Sequence, residues 1–323
     1  MNAIELRDIH RTFHIKTGTI RRHKKDVVAL NGLSLDVADG ELFGLLGPNG
    51  AGKTTTIKIL TTLLIPTAGS ASVLGKDVVR EAKQVRREIG FVFGGERGLY
   101  YRLSARDNLW YFAELYGVAP KEIRPRVEEL LALVGLTDRA DENVEGYSRG
   151  MKQRLHLART LVHRPSVLFL DEPTIGLDPI GARELRRIVS DLHDRGTTII
   201  LTTHYLFEAD ELCDRIGVID RGRLVALGTP DELKAGASDL SVVEVEVFGI
   251  RDEALGRLRA LDFVDSVVVE QRELRQLIRV QTRLGDRAVA PLMAALDGVQ
   301  VGRVAVREAT LEDAYVKLVG RLE

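Results

Sequence analysis

Residues 47–54 read Gly-Pro-Asn-Gly-Ala-Gly-Lys-Thr, a complete G-x-x-x-x-G-K-T string, and no other feature restricts the fold of this chain so tightly. Gly47, Gly50 and Gly52 let successive backbone N–H groups turn inward around a polyphosphate without side-chain obstruction. Such a loop belongs between a buried strand and a helix whose N-terminus adds its positive dipole end. Both neighbours are present: residues 42–46 form a short apolar run, and a helix is predicted over residues 53–64, closed off before Pro66. Lys53 is suited to neutralise β- and γ-phosphates and Thr54 to ligate Mg²⁺. Pro48, Asn49, Ala51 and Thr55 complete the candidate cradle. The helix carries Thr54, Thr55, Thr56, Thr61 and Thr62, which is poor helix chemistry, so packing and bound phosphate are expected to hold it. The motif alone implies a P-loop nucleotide enzyme and leaves kinases, GTPases and motor ATPases open.

A second group of polar residues narrows the choice. The apolar run 167–170 delivers Asp171-Glu172 at a strand end. Asp171 is suited to hold the Mg²⁺ shell and Glu172 to act as general base on the attacking water. Pro173 biases Glu172 towards extended backbone. The run 197–203 ends in His204, which reads as a γ-phosphate sensor because Lys53, Asp171 and His204 would share the carboxyl edge of one sheet.

Elsewhere, residues 6–13 and 27–37 read as strands flanking the basic run Arg21-Arg22-His23-Lys24-Lys25, which reads as a solvated loop or as a contact with lipid head groups or a partner. Residues 73–79 read as strand and 83–161 as a helical region, with Leu109, Phe112, Ala113 and Tyr116 at helical spacing. Residues 216–220 and 223–227 form a predicted hairpin around Arg221-Gly222, followed by a helix start at Thr229-Pro230-Asp231-Glu232. A boundary falls near residues 236–239. Beyond it the order βαββαβ matches the ferredoxin-like pattern.

Residues 145–154, Glu-Gly-Tyr-Ser-Arg-Gly-Met-Lys-Gln-Arg, resemble the signature motif of ABC ATPases, and residues 170–178, Leu-Asp-Glu-Pro-Thr-Ile-Gly-Leu-Asp, resemble their Walker B motif running into the D-loop. With the phosphate loop and His204, the resemblance covers residues 1–236. It implies an α/β P-loop NTPase with antiparallel β and helical subdomains, the latter at about 84–161, to which the βαββαβ pattern adds a small α+β domain at 240–323. It also implies a head-to-tail homodimer with two ATPs between chains. Ser148 and Gly150 of one chain would face the γ-phosphate held by Lys53 of the other, and Asp178 would couple the two sites. Phe13 falls where the family stacks an aromatic ring on adenine; a core phenylalanine is the other reading. Arg149 and Met151 stand where the commonest signature has glycine and glutamine. Gly95, followed by Glu96, stands where the family has the Q-loop glutamine after a strand at 89–93.

Among ABC proteins the chain is most similar to daunorubicin-resistance-type exporter ATPases, which carry a comparable basic insertion and close on a Leu-Glu-Asp helix, here Leu311-Glu312-Asp313. That resemblance implies a separately encoded integral membrane permease, a place at the cytoplasmic face of the cell membrane and export of a drug-like or hydrophobic compound. Composition agrees: a formal net charge of -1 argues against a nucleic-acid binder, and no apolar run approaches the roughly 20 residues of a membrane span. The single cysteine, Cys213, reads as a buried small apolar residue in a reducing compartment. A soluble ABC ATPase acting on ribosomes or DNA, and a module that binds ATP but hydrolyses it poorly, remain as rivals.

Overall fold

The computed structural model describes residues 1–17, 23–93, 98–238, 241–272 and 275–320. The chain divides into two compact units, Met1–Leu227 and Gly228–Glu323. The first unit opens with strands β1 (Asn2–Thr17), β2 (His23–Ala38) and β3 (Leu42–Leu46), then helix α1 (Lys53–Leu60). There follow β4 (Ala68–Val73), β5 (Lys76–Asp77), α2 (Ala82–Glu88) and β6 (Ile89–Val92). Helices α3 (Ala105–Leu115), α4 (Pro120–Leu133) and α5 (Arg149–Thr160) come next. The unit ends with β7 (Val167–Asp171), α6 (Pro179–Asp194), β8 (Thr198–Thr202), α7 (Leu206–Leu212), β9 (Arg215–Asp220) and β10 (Arg223–Gly228).

Two sheets build this unit. One has the order β10-β9-β3-β8-β7-β6, with β9, β3, β8, β7 and β6 parallel. Strands β3, β7 and β8 are buried at every residue, which is why they read as solid apolar or β-branched runs. The other sheet, β2-β1-β4-β5, is antiparallel. Between the sheets lies a core containing Ile4, Leu6, Leu33, Phe43, Leu45, Ile57 and Phe169.

Several boundaries differ from the sequence reading. Strands β1 and β2 extend far beyond residues 6–13 and 27–37 and pair as one hairpin as far as Thr17↔His23. Of the basic run read as a solvated loop, His23, Lys24 and Lys25 therefore lie on a strand, with Lys25 exposed. Arg21 and Arg22 lie outside the described residues, as do Gly95 and Glu96. Strand β4 begins at Ala68, earlier than the predicted 73–79, because it pairs with β1 (Ile4↔Val73, His10↔Ala68) without needing an apolar alternation of its own. Strand β6 falls where the family resemblance places one, within the stretch otherwise read as helical, and joins the parallel sheet. Helix α1 stops at Leu60 rather than Leu64. Thr61 turns its hydroxyl back on the Ile57 carbonyl at 2.8 Å. Thr62 is left-handed (φ 63°), and the N–H groups of Thr62 and Leu63 bond Ile59 O and Lys58 O, a Schellman ending. The predicted β9–β10 hairpin forms with Arg221 and Gly222 both at positive φ, 47° and 76°, as a two-residue turn requires.

The second unit starts with α8 (Pro230–Ser238) and continues β11 (Ser241–Phe248), α9 (Asp252–Arg259), β12 (Val264–Arg272), β13 (Arg275–Thr282), α10 (Val289–Ala295), β14 (Gln300–Glu308) and α11 (Leu311–Gly320). The capping box forms as read: the Thr229 N–H donates to Glu232 and the Glu232 N–H donates to Thr229 Oγ1. Helix α8 packs with α11, so this unit begins ahead of the small-residue stretch at 236–239. Its sheet, ordered β12-β13-β11-β14 and wholly antiparallel, has the ferredoxin-like arrangement. Val243, Val245 and Val247 face a core with Leu258, Ile278, Val280 and Leu292. The Leu-Glu-Asp ending acquires a structural reason. Leu311 is buried, Glu312 pairs with Arg279 at 3.1 Å, and Asp313 pairs with Arg307 at 2.6 Å while capping its own helix through Thr310. Among the described residues no helix is long and apolar enough to cross a membrane. Cys213 is buried, and burial pushes its thiol well above the ordinary cysteine value.

Candidate nucleotide site

The site forms where β3, β7 and β8 end side by side. The loop after β3 can take its course only with glycine at two points. A Cβ on Gly47 would lie 2.2 Å from Ile219 O, and one on Gly52, left-handed at φ 112°, would lie 2.7 Å from Ala29 O. The β9–β10 turn braces the same loop, since the Gly222 N–H donates to Ala51 O and the Asn31 N–H to Gly222 O. Gly50 at φ 83° and Asn49 stand at the exposed tip, with Pro48 half-buried beside them. Helix α1 starts at Lys53 with no acid in its first turn, which leaves its dipole end available to an anion. Thr56 hydrogen-bonds back to Gly52 O at 3.0 Å, so part of the threonine load is absorbed inside the helix. Thr55 is half-buried beside it.

Lys53 is 6% exposed and donates to Gly47 O at 2.6 Å and to Pro48 O at 3.3 Å. Burial lowers its ammonium below the usual lysine value, while Glu172 and then Asp171 pull in the opposite direction. Thr54 Oγ1 donates to Asp171 Oδ2 at 3.0 Å. These two groups offer hard oxygen donors side by side, the ligand chemistry that Mg²⁺ takes. Asp171 is fixed from its other side by Thr202 Oγ1 at 2.5 Å. The Glu172 N–H reaches Thr202 O at 3.0 Å and its hydroxyl at 3.1 Å. His204 Nδ1 stands 3.6 Å from Glu172 Oε2. A cleft of roughly 420 Å³ opens over this group, lined by Thr54, Lys58, Phe93, Asp171, Glu172 and Ile175.

One expectation is overturned. Glu172 is not extended but left-handed, at φ 51°. Its N–H is held by Thr202, so the chain turns off the sheet at Glu172 itself, and the steric effect of Pro173 is overridden.

Ser148 caps α5, its Oγ accepting from Met151 N at 3.2 Å, so the signature segment spans a helix N-terminus with the exposed Ser148 beside the half-buried Gly150. Arg149, in place of the family glycine, donates to Gly176 O at 3.0 Å and ties the signature helix to the turn after Glu172. Asp178 caps α6, accepting from Gly181 N at 2.8 Å. Phe13 is half-buried on β1 with the Arg11 guanidinium 4.6 Å above its ring, outside the buried core. Sequence reasoning misses Thr202, whose signal is register: it is paired with Asp171 across the β7–β8 ladder. It also misses Glu208, buried behind the site.

A family model described as ABC transporter matches residues 30–175. The chain is 44% identical over 299 residues to Daunorubicin resistance ATP-binding protein DrrA3 of Streptomyces coeruleorubidus, covering 91% of this chain and 92% of that one. It is 36% identical over 300 residues to Linearmycin resistance ATP-binding protein LnrL of Bacillus subtilis (strain 168), covering 92% and 95%. Among solved structures it resembles the ATP-binding cassette MJ0796, described as a dimeric post-hydrolysis state bound to ADP and Pi. The TM-score is 0.61 at 26% identity, over 70% of this chain and 98% of that one.

Proposed function

The chain belongs to the ABC transporter ATP-binding subunits, and from that premise we propose that two copies share ATP across a head-to-tail dimer and drive a separate membrane permease that exports a drug-like or hydrophobic compound. The observation that carries this reading is the convergence of Lys53, Thr54, Asp171, Glu172 and His204 at one sheet edge, with Thr54 on Asp171 at 3.0 Å and His204 beside Glu172 at 3.6 Å. Export is supported by relatives named for resistance to daunorubicin and linearmycin. The working place is the cytoplasmic face of the membrane, where the permease holds the subunit. No nucleic-acid partner is proposed, in keeping with the formal net charge of -1.

In this reading the loop from Gly47 to Gly52 and the start of α1, with Thr55, wrap the polyphosphate, and Phe13 stacks on the adenine. Lys53 exchanges its two carbonyl partners for β- and γ-phosphate oxygens. Thr54 and Asp171 would hold Mg²⁺, which would supply positive charge to offset that of the polyphosphate. Glu172 takes a proton from water as the water oxygen bonds to the γ-phosphorus and the bond to the bridging oxygen breaks. His204 donates to the γ-phosphate. Ser148 and Gly150 of the partner copy close the other side, and Asp178 carries the state of one site to the other. Closing on ATP and reopening after hydrolysis supplies the two conformations that a permease can follow.

A site shared between copies has a kinetic consequence. The specific ATPase activity of the purified chain should rise with protein concentration until dimers dominate. Specific activity independent of concentration, in a chain that stays monomeric with ATP, would contradict the shared site.

A further inference from the structure

Glu208 is 1% exposed, in the first turn of α7. At such depth a carboxylate must be paired and hydrogen-bonded. Its Oε2 accepts from Thr174 Oγ1 at 2.9 Å and from Thr203 Oγ1 at 3.0 Å, and its Oε1 accepts from Arg186 Nη1 at 3.2 Å. Thr174 lies two residues after Glu172, and Thr203 lies immediately before His204. We propose that Glu208 is a positioning residue for ATP hydrolysis, clamping the segments that carry Glu172 and His204 into one frame. The proposal rests on the roles given above to those two residues.

Up to the sheet edge the β7–β8 ladder keeps the two segments in register, ending with Asp171 opposite Thr202 and the Glu172 N–H on Thr202 O. Past that edge the ladder stops, and each segment follows its own turn. Glu208 spans the gap with a single oxygen that takes both threonine hydroxyls. Movement of either turn must then break a hydrogen bond to a buried charge, which is costly. Thr203 Oγ1 also accepts from Tyr205 N at 2.9 Å, closing a tight turn around His204. Arg186, reaching in from α6, supplies the counter-charge. It is shared with Glu211 at 3.2 Å and lies 5.1 Å over the Phe207 ring, so the clamp is itself backed by two helices.

A residue that merely anchors α7 would, when changed, lower the melting temperature and leave turnover per folded molecule intact. A positioning residue lowers turnover while nucleotide binding, which depends on the loop after β3, persists. The test is steady-state ATPase kinetics, ATP affinity and thermal melting on the full chain for Glu208→Gln, Thr174→Val, Thr203→Val and Glu172→Gln. Glu208→Gln keeps the shape and loses the charge. The expected result is a fall in kcat of about tenfold or more in Glu208→Gln and in each threonine variant, with ATP affinity within about twofold of wild type. Adding Thr203→Val to Glu208→Gln should cost little more, because both act through one carboxylate. Unchanged kcat in all three variants, with Glu172→Gln inactive, overturns the positioning role and leaves the base assignment standing. An active Glu172→Gln removes the base assignment and the proposal with it. Should Glu208→Gln fail to fold, the threonine variants decide by the same criteria.

Discussion

Replacing Glu172 by glutamine is expected to stop ATP turnover while leaving ATP bound. The substitution keeps the side chain's length and its hydrogen-bonding reach but removes the group that can accept a proton from water. The backbone around it has little freedom to compensate. Glu172 sits at φ 51° with its N–H held between the carbonyl and the hydroxyl of Thr202. A general base contributes about 10²–10⁴-fold to rate, so kcat should fall by about that much. Binding of a fluorescent ATP analogue should match wild type, because Lys53 and the loop after β3 are untouched. A Glu172→Gln protein that hydrolyses at the wild-type rate would show that the proton goes elsewhere.

Lys53→Ala should produce the largest loss in binding. The ammonium is already desolvated and held on two loop carbonyls, so the site is organised around a cation before ATP arrives. Without it, polyphosphate would enter a pocket whose nearest charges are the carboxylates of Asp171 and Glu172. Truncating one partner of a buried charge pair costs about 2–5 kcal/mol, which corresponds to roughly a thirtyfold to several-thousandfold loss of ATP affinity. The cleanest readout is melting with and without ATP: wild type should be stabilised by the nucleotide and Lys53→Ala should not. Equal ATP-induced shifts in both proteins would contradict the assignment.

The candidate site is legible in the sequence where residue type and backbone geometry are tied together by local spacing. The glycines of residues 47–54 are needed because a Cβ at Gly47 or Gly52 would collide with backbone, and a short motif records such a constraint directly. Asp171 and Glu172 were legible because a buried strand leads straight into them. What stayed hidden depends on register between distant segments. Thr202 acts on Asp171 across 31 residues of chain, and Glu208 acts on Thr174 across 34. Neither carries a local signature, since a threonine ending a strand and an acid on a helix are ordinary residues. The β1–β2 hairpin was read too short for a related reason. His14, Lys25 and Asp26 on its extension are polar and exposed, so no half-buried alternation marks that part. The left-handed turn at Glu172 went against a local rule because two hydrogen bonds from a neighbouring strand outweigh a one-residue steric preference. In the second unit the alternation of Val243, Val245 and Val247 marked a half-buried strand directly, and the sheet order followed from element order.

An ATPase that works through a membrane permease must come out of the membrane with that permease. The most direct measurement is purification of the tagged chain from detergent-solubilised host membranes, with mass spectrometry of whatever accompanies it. One multi-span membrane protein is expected in stoichiometric amount, retained when Glu172→Gln and ATP trap the closed state. A tagged chain found wholly in the soluble fraction, alone or with ribosomes or DNA-repair proteins, would contradict it.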